Sequence, residues 1–267
     1  MPSPLKNELR RMPEILSIVI PAYQEERFIG PLLEKVIAVD LSPLGIAKEI
    51  IVVDDGSRDR TAEIAGRFQE VILHRKAKNE GKGSAVQAGI RMATGSYIMI
   101  QDADLEYDPE DYIPMLRALI AKNLDAVYGS RYLKYPERGR LINFLGSKHS
   151  GQSLPAYAGG QSLSLIALAT TGHYISDTVT ALKLFRAGLI RPLQLETRGF
   201  ELDHELTAKI LARGARLSEV PIRYYPRTKA EGKKIGARDW LIALKTFLRF
   251  RKDGTSDLAR GRDSQRS

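Results

Sequence analysis

Five short apolar runs rich in β-branched residues, four of them closed by a polar cluster, constrain the fold of this chain most. Leu16–Ile20 runs into Pro21-Ala22-Tyr23-Gln24-Glu25-Glu26, and Ile50–Val53 into Asp54-Asp55-Gly56-Ser57. Val71–Leu73 is the third. Tyr97–Ile100 runs into Gln101-Asp102-Ala103-Asp104, and Asp125–Tyr128 into Gly129-Ser130-Arg131. Apolar β-branched stretches bounded by Gly, Pro and Asp read as buried strands. Between them, Glu25–Val39 places Phe28, Ile29, Leu32, Leu33 and Val36 at a helical period, and Thr61–Phe68, Gly83–Met92 and Pro109–Ala121 behave alike. Strand and helix in alternation predict a doubly wound α/β fold with a mostly parallel sheet. Right-handed crossovers bring the strand ends to one edge, and ligands of such sheets bind outside the carboxyl ends. Four polar clusters on that edge predict a site there.

Composition narrows the chemistry. The 267 residues include 43% hydrophobic residues and no Cys. A core can therefore form, while a disulfide scaffold, a thiolate zinc site and a cysteine nucleophile are excluded. The 41 Lys and Arg against 32 Asp and Glu give a net charge of +9. Residues 207–252 alone hold 13 basic against 3 acidic residues, interleaved with Tyr224, Tyr225, Trp240, Phe247 and Phe250. That segment predicts a surface for a polyanion. No stretch reaches the ~18 apolar residues of a membrane span, the nearest being Leu163–Ala169. Met1–Glu14 is polar and lacks the apolar segment of a secretion signal. The expected location is cytoplasmic, or peripheral on the cytoplasmic face of the membrane.

Asp102, Asp104 and Glu106 alternate along an extended segment, so their carboxylates can face one cation. Hard divalent cations such as Mg²⁺ or Mn²⁺ take oxygen ligands and add substrate phosphates to their shell. A solvated acidic loop is the plain alternative. Asp54 and Asp55 can accept hydrogen bonds from ribose hydroxyls or a base N–H, or simply close an Asx turn. Gly81-Lys82-Gly83 lacks the spacing of a P-loop, and no GxGxxG follows a strand. His74, His149, His173 and His204 form neither a zinc-protease spacing nor a triad.

Taken together, IVIPAYQEE, IVVDDGSRDRT, NEGKGSAVQAG, MIQDADLEYDPED, AVYGSRY, SDTVTALKLFR, GFELDHEL and EVPIRYYPRTKAEGKKI resemble family 2 glycosyltransferases of the GT-A fold. Within them the chain is most similar to the group of dolichyl-phosphate mannosyltransferases and bacterial polyprenyl-phosphate glycosyltransferases, from Leu16 to Arg251. The resemblance implies a single GT-A domain, a Rossmann-like sheet flanked by helices. It implies nucleotide-sugar contacts by Pro21, Ala22, Tyr23, Glu25, Asp54, Asp55, Lys82, Ala85, Asp102 and Ala103. It implies a metal held by Asp102, Asp104 and Glu106, and a catalytic set of Asp104, Arg131 and Asp177. Arg131 is expected to grip an acceptor phosphate, and Arg227, Lys229, Lys233 and Lys234 to clamp the diphosphate. The chain departs from the group where Leu105-Glu106 replaces Leu-Gln, where Ala181 replaces Gly, and across Ser147–Gly160.

The implied reaction moves a hexose from a GDP- or UDP-sugar to a polyprenyl or dolichyl phosphate, with inversion and with Mg²⁺ or Mn²⁺. A lipid phosphate is ionised at neutral pH and needs no general base. Transfer to a soluble hydroxyl would need one, with Asp177 or Asp203 as the candidates. Nucleic acid is not an expected partner, because the basic segment lies beside a sugar-nucleotide motif set and contains no recognition helix. The expected layout is a polar arm over 1–14, a catalytic domain over 15–235 (nucleotide-sugar half 15–132, acceptor half 133–235), a basic amphipathic helix over 236–252 and a disordered tail over 253–267. Asp239–Lys252 reads either as an interfacial helix, meeting the membrane directly or through a separate membrane subunit, or as a core-packing one.

Overall fold

The computed structural model describes residues 14–133, 154–226 and 237–250. The strands are β1 (Glu14–Ala22), β2 (Ile46–Asp54), β3 (Val71–Arg75), β4 (Tyr97–Ile100), β5 (Ala126–Ser130), β6 (Lys183–Arg186) and β7 (Leu217–Pro221). They form one sheet in the order β3-β2-β1-β4-β6-β5-β7. The pairs β1–β2, β1–β4, β2–β3 and β5–β7 are parallel, while β6 runs antiparallel to both β4 and β5. All the expected strands form, and the mostly parallel sheet contains one reversed strand. That reversal matters for the site: the start of β6 lies on the edge where the parallel strands end.

The helices are α1 (Ile29–Ala38), α2 (Thr61–Ala65), α3 (Lys82–Met92), α4 (Tyr112–Ala121), α5 (Leu154–Thr171), α6 (Ala187–Ile190), α7 (Leu202–Ala212) and α8 (Ala237–Phe250). Both sheet faces are covered, as near-continuous apolar runs require. Leu16, Ile18, Ile20 and Val52 pack with Leu32, Leu33 and Val36 of α1 and Met115, Leu116 and Leu119 of α4. Val19, Ile51, Val53 and Ile98 face the other side, against Ala85, Val86 and Ile90 of α3 and Leu206 and Ile210 of α7. Helix α1 starts later than its apolar period suggests. Gln24 adopts a left-handed conformation at φ 56°, and Glu25 O accepts from the N–H groups of Phe28 and Ile29, so a turn precedes the helix. Asp108 accepts a 3.1 Å bond from Glu110 N, and Pro109 opens the short 3-10 turn that leads into α4, a fixed φ suited to a helix start.

Helix α8 packs on α5 and α7. Ala243, Phe247 and Phe250 are buried, and Trp240 donates a 2.7 Å bond from Nε1 to Ser162 Oγ. Phe247 stacks on His204 at 5.4 Å, and Lys209 lies 4.3 Å from the Phe250 ring centre. Leu241, Ile242 and Leu248 of α8 and Leu165 and Leu168 of α5 stay exposed. The helix is thus core-packing on one side and leaves apolar side chains exposed on another. Among the described residues, no helix is long and apolar enough to cross a membrane.

Candidate active site

The first wall of the site is built by Asp55. Its carboxylate, almost fully buried, accepts from Gly81 N at 2.7 Å, from Glu80 N at 3.1 Å and from Lys76 Nζ at 2.7 Å. These bonds fold residues 76–81 back over the end of β2. Gly56 permits the close approach: at φ 76° it sits in left-handed space, and a Cβ there would lie 2.6 Å from the Lys78 carbonyl carbon. The result is a cleft of about 510 Å³ whose lining includes Tyr23, Ser57, Arg58, Arg75, Lys76 and Lys78. Asp54 stands beside it, fully buried, accepting a 3.1 Å bond from Ser57 N. Its Oδ2 accepts no hydrogen bond and lies 3.4 Å from Arg75 Nε. A buried carboxylate oxygen without a hydrogen bond is costly, and a ligand hydroxyl or N–H would relieve it.

The acidic turn follows β4. Gln101 fixes its root: Tyr112 Oη donates to Gln101 Oε1 at 2.9 Å, and Gln101 Nε2 donates to Asp102 O at 2.9 Å. Leu105 takes a left-handed φ of 60°, a conformation that costs about 1–3 kcal/mol for a non-glycine residue and gathers at functional sites. Glu106 is drawn to the far side of this turn. Its Oε2 accepts from Tyr224 Oη at 2.8 Å and its carbonyl accepts from Tyr225 N at 2.8 Å. Arg223 donates to Asp111 from backbone N, Nε and Nη2 and pairs with Asp108 at 3.1 Å. The segment after β7 is therefore stapled along the acidic loop, immediately before Arg227. Arg227, Lys229, Lys233 and Lys234 lie outside the described residues.

Asp102 receives Lys82. The ammonium lies 2.8 Å from Asp102 Oδ1 and 3.5 Å from Asp203 Oδ2. Burial alone would lower the Lys82 pKa, yet Asp102 and Asp203 more than offset it and hold the group above its ordinary value. Asp203 also accepts a 2.5 Å bond from Lys183, a fully buried lysine 5.2 Å from the Tyr128 ring centre. Burial would raise the Asp203 pKa, but Lys183 and Lys82 pull it down to about 2. Burial pushes the neighbouring His204 down to about 4.

The second half of the edge is the start of β6. Asp177, fully buried, binds the Arg131 guanidinium through two 2.7 Å bonds and accepts a 3.1 Å bond from Arg131 N. The guanidinium also stacks 5.0 Å from the Tyr224 ring centre. Beneath the pair, Glu219 accepts from Ser176 N, Ser176 Oγ and Asp177 N at 2.8, 2.8 and 3.0 Å. Burial, and the Asp177 charge, push its pKa up to about 7 against the hydrogen bonds that oppose the shift.

Most expected residues thus meet at one edge. Pro21, Ala22, Tyr23 and Glu25 flank the cleft side, with Tyr23 exposed and Glu25 N donating to Thr61 Oγ1 at 2.8 Å. Three of the expected residues are buried or bonded elsewhere in the fold. Ala85 and Ala103 are buried among core residues, because their helix and turn positions face inward. Glu106 is bonded to Tyr224, and among the described residues no three acidic or histidine side chains converge as a metal cluster. Asp102 and Asp104 still supply hard oxygen donors at a partly open turn, which suits a divalent cation completed by substrate phosphates. Lys183 and Glu219 were not singled out from sequence. The signal for Lys183 was a charge at a core position of an apolar strand, which demands a buried carboxylate.

A doubly wound sheet with one reversed strand, carrying an acidic turn and a buried Arg–Asp pair on one edge, is the arrangement of a GT-A glycosyltransferase. The chain belongs to glycosyl transferase family 2, whose profile matches residues 17–167. It is 31% identical over 229 residues to a dolichol-phosphate mannosyltransferase of Pyrococcus furiosus, covering 83% of this chain and 59% of that protein. It is 28% identical over 246 residues to a dodecaprenyl-phosphate galacturonate synthase of Rhizobium johnstonii, covering 88% of this chain and 68% of that one. In structure it is similar to the glucosyl-3-phosphoglycerate synthase of Mycobacterium tuberculosis in complex with UDP. The TM-score is 0.63 at 18% identity, over 89% of this chain and 80% of that one. That enzyme has also been crystallised with Mn²⁺ and UDP-glucose.

Proposed function

We propose that the protein transfers a hexose from a nucleotide diphosphate sugar to a polyprenyl phosphate, inverting the anomeric configuration, with Mg²⁺ or Mn²⁺ as cofactor. The observation that carries the acceptor assignment is the state of the two candidate bases. Asp203 is held between Lys183 and Lys82 with its pKa near 2, and Asp177 is locked on Arg131 through two 2.7 Å bonds. A carboxylate so engaged is a poor proton acceptor for a hydroxyl, whereas an ionised lipid phosphate needs none. The names of the Pyrococcus and Rhizobium relatives support the same acceptor class.

The basic cleft between Tyr23 and Asn79 would take the nucleoside, with Asp54 Oδ2 as a waiting acceptor. Asp102 and Asp104 would hold the divalent cation, which when bound supplies charge neutralisation for the departing nucleoside diphosphate. The Arg227–Lys234 segment, which begins two residues beyond the Tyr225–Glu106 bond, would add cationic contacts to the same diphosphate. Arg131 would orient the acceptor phosphate: a guanidinium has more N–H donors than one carboxylate uses, and Asp177 fixes its plane. The phosphate oxygen then attacks the anomeric carbon opposite the leaving group. The exposed Leu165, Leu168, Leu241, Ile242 and Leu248, with Lys245 and Arg249 nearby in sequence, support a peripheral contact with the acceptor's membrane.

The test is radiolabelled transfer from UDP- and GDP-sugars, with Mg²⁺ or Mn²⁺, into a solvent-extractable polyprenyl phosphate. Label in the lipid fraction is expected. Label only in a water-soluble hydroxyl acceptor would overturn the lipid reading.

A further inference from the structure

Four charged side chains, drawn from four separate stretches of chain, form an alternating row from the acidic turn into the core: Asp102, Lys82, Asp203, Lys183. The contacts along it are 2.8, 3.5 and 2.5 Å. The row is uneven. Lys82 is close to Asp102, at 2.8 Å from Oδ1 and 3.1 Å from Oδ2, and farther from Asp203. Asp203 is held at its other oxygen by fully buried Lys183. Its Oδ2 is therefore aimed along the row with its position already set. The ring of Phe200, centred 5.8 Å from the Lys82 ammonium, offers a cation-tolerant surface.

A divalent cation at Asp102 and an ammonium on the same carboxylate repel one another. We propose that Lys82 is a resident counter-cation of the acidic turn, which leaves Asp102 for Asp203 when a divalent cation binds, and that Asp203 is the positioning residue that receives it. This inference rests on the proposed metal-binding reading of Asp102 and Asp104. Its physical advantage is electrostatic. With Lys82 in place the turn carries less net negative charge, so it repels an incoming diphosphate less. After the shift, the ammonium is neutralised by Asp203 rather than left facing the cation. Lys183 keeps Asp203 charged and in place throughout.

The experiment is calorimetric titration of MnCl₂ alone into the nucleotide-free full chain, comparing wild type, Lys82→Met and Asp203→Asn. Removing the competing ammonium is expected to tighten Mn²⁺ binding by about tenfold or more. Removing the receiving carboxylate is expected to weaken it by about tenfold. If Lys82 merely supports the shape of Asp102, the Lys82→Met variant binds Mn²⁺ equally or more weakly, and the proposal is overturned. Should Asp203→Asn not fold because Lys183 loses its partner, the sign of the Lys82→Met change decides alone, since that variant leaves the Asp203–Lys183 pair intact. Absence of Mn²⁺ binding in wild type and Lys82→Met alike, with UDP or GDP added, removes the metal reading and this inference with it. Equal binding in the two removes the hand-over only.

Discussion

Glu219 gives the sharpest test of the buried electrostatics, because its titration falls in an accessible range. The carboxyl lies beneath the Ser176–Asp177 segment and is pushed from 4.5 up to about 7, first by burial and then by the Asp177 charge. Between those two values the native state keeps a proton that the unfolded chain has released. Stability therefore falls as pH rises through this window: the contribution is whole below the unfolded value and gone above the folded one. At about 1.4 kcal/mol per pKa unit, the interval from 4.5 to about 7 corresponds to roughly 3 kcal/mol. That is a ceiling, since Glu219 is only half-buried by surface area. For a chain of this size each kcal/mol moves Tm by roughly 2–4 °C, so the full effect is about 6–12 °C. Glu219→Gln cannot titrate. Thermal melts followed by circular dichroism from about pH 5 to about pH 8 are expected to show wild type losing several degrees more than the variant. The Tm difference should change through the window from 4.5 to about 7 and level off above it. Parallel Tm curves for the two proteins would refute the buried-proton account, as would a difference that levels off at the pH of an ordinary carboxylate.

Three further outcomes are expected. Asp102→Asn should lower kcat by about two orders of magnitude, the scale of losing one transition-state charge contact, with little change in Tm, because the side chain is partly open; steady-state kinetics and melting check both. Arg131→Ala strands fully buried Asp177 and should cost about 3–5 kcal/mol of stability, read by urea unfolding, while Arg131→Lys, unable to make the two-point contact, should restore only part of it. Gly81→Ala should cost about 1–3 kcal/mol, because Gly81 sits at φ 100° with the Arg198 carbonyl where a Cβ would go, and a loss in Tm is the readout.

The part of the edge built up to β5 was legible from sequence because its elements are local. A run such as IIVV closed by Asp-Asp-Gly-Ser announces a strand, its end and the edge on which it ends, all within one segment. The part built from Ser176 on was less legible. The direction of β6 is set by pairing with β4 and β5, which the SDTVTALKLFR segment itself does not encode. Glu219 sits in LSEVP, whose alternation reads as a solvent-facing acid, and only the fold lays Ser176 over it. Lys82 and Asp203 are 121 residues apart in sequence, so no spacing rule could join them. Glu106 followed the alternation of Asp102 and Asp104, but the left-handed turn at Leu105 breaks that alternation before it is reached.

The reversed strand has a consequence for how such an enzyme can change. A purely parallel sheet builds its edge from residues that follow strands. Here residues that precede a strand join them, so the edge is written in two distant stretches, one up to Arg131 and one from Ser176 on. The two stretches are joined by strand pairing and by side-chain contacts that include Arg131–Asp177, Lys82–Asp203, Ser130–Ser176 and Glu106–Tyr224. A substitution among the buried residues of 176–182 is therefore constrained by its partners in the other stretch. The ion pairs mark the positions where the two texts must still agree.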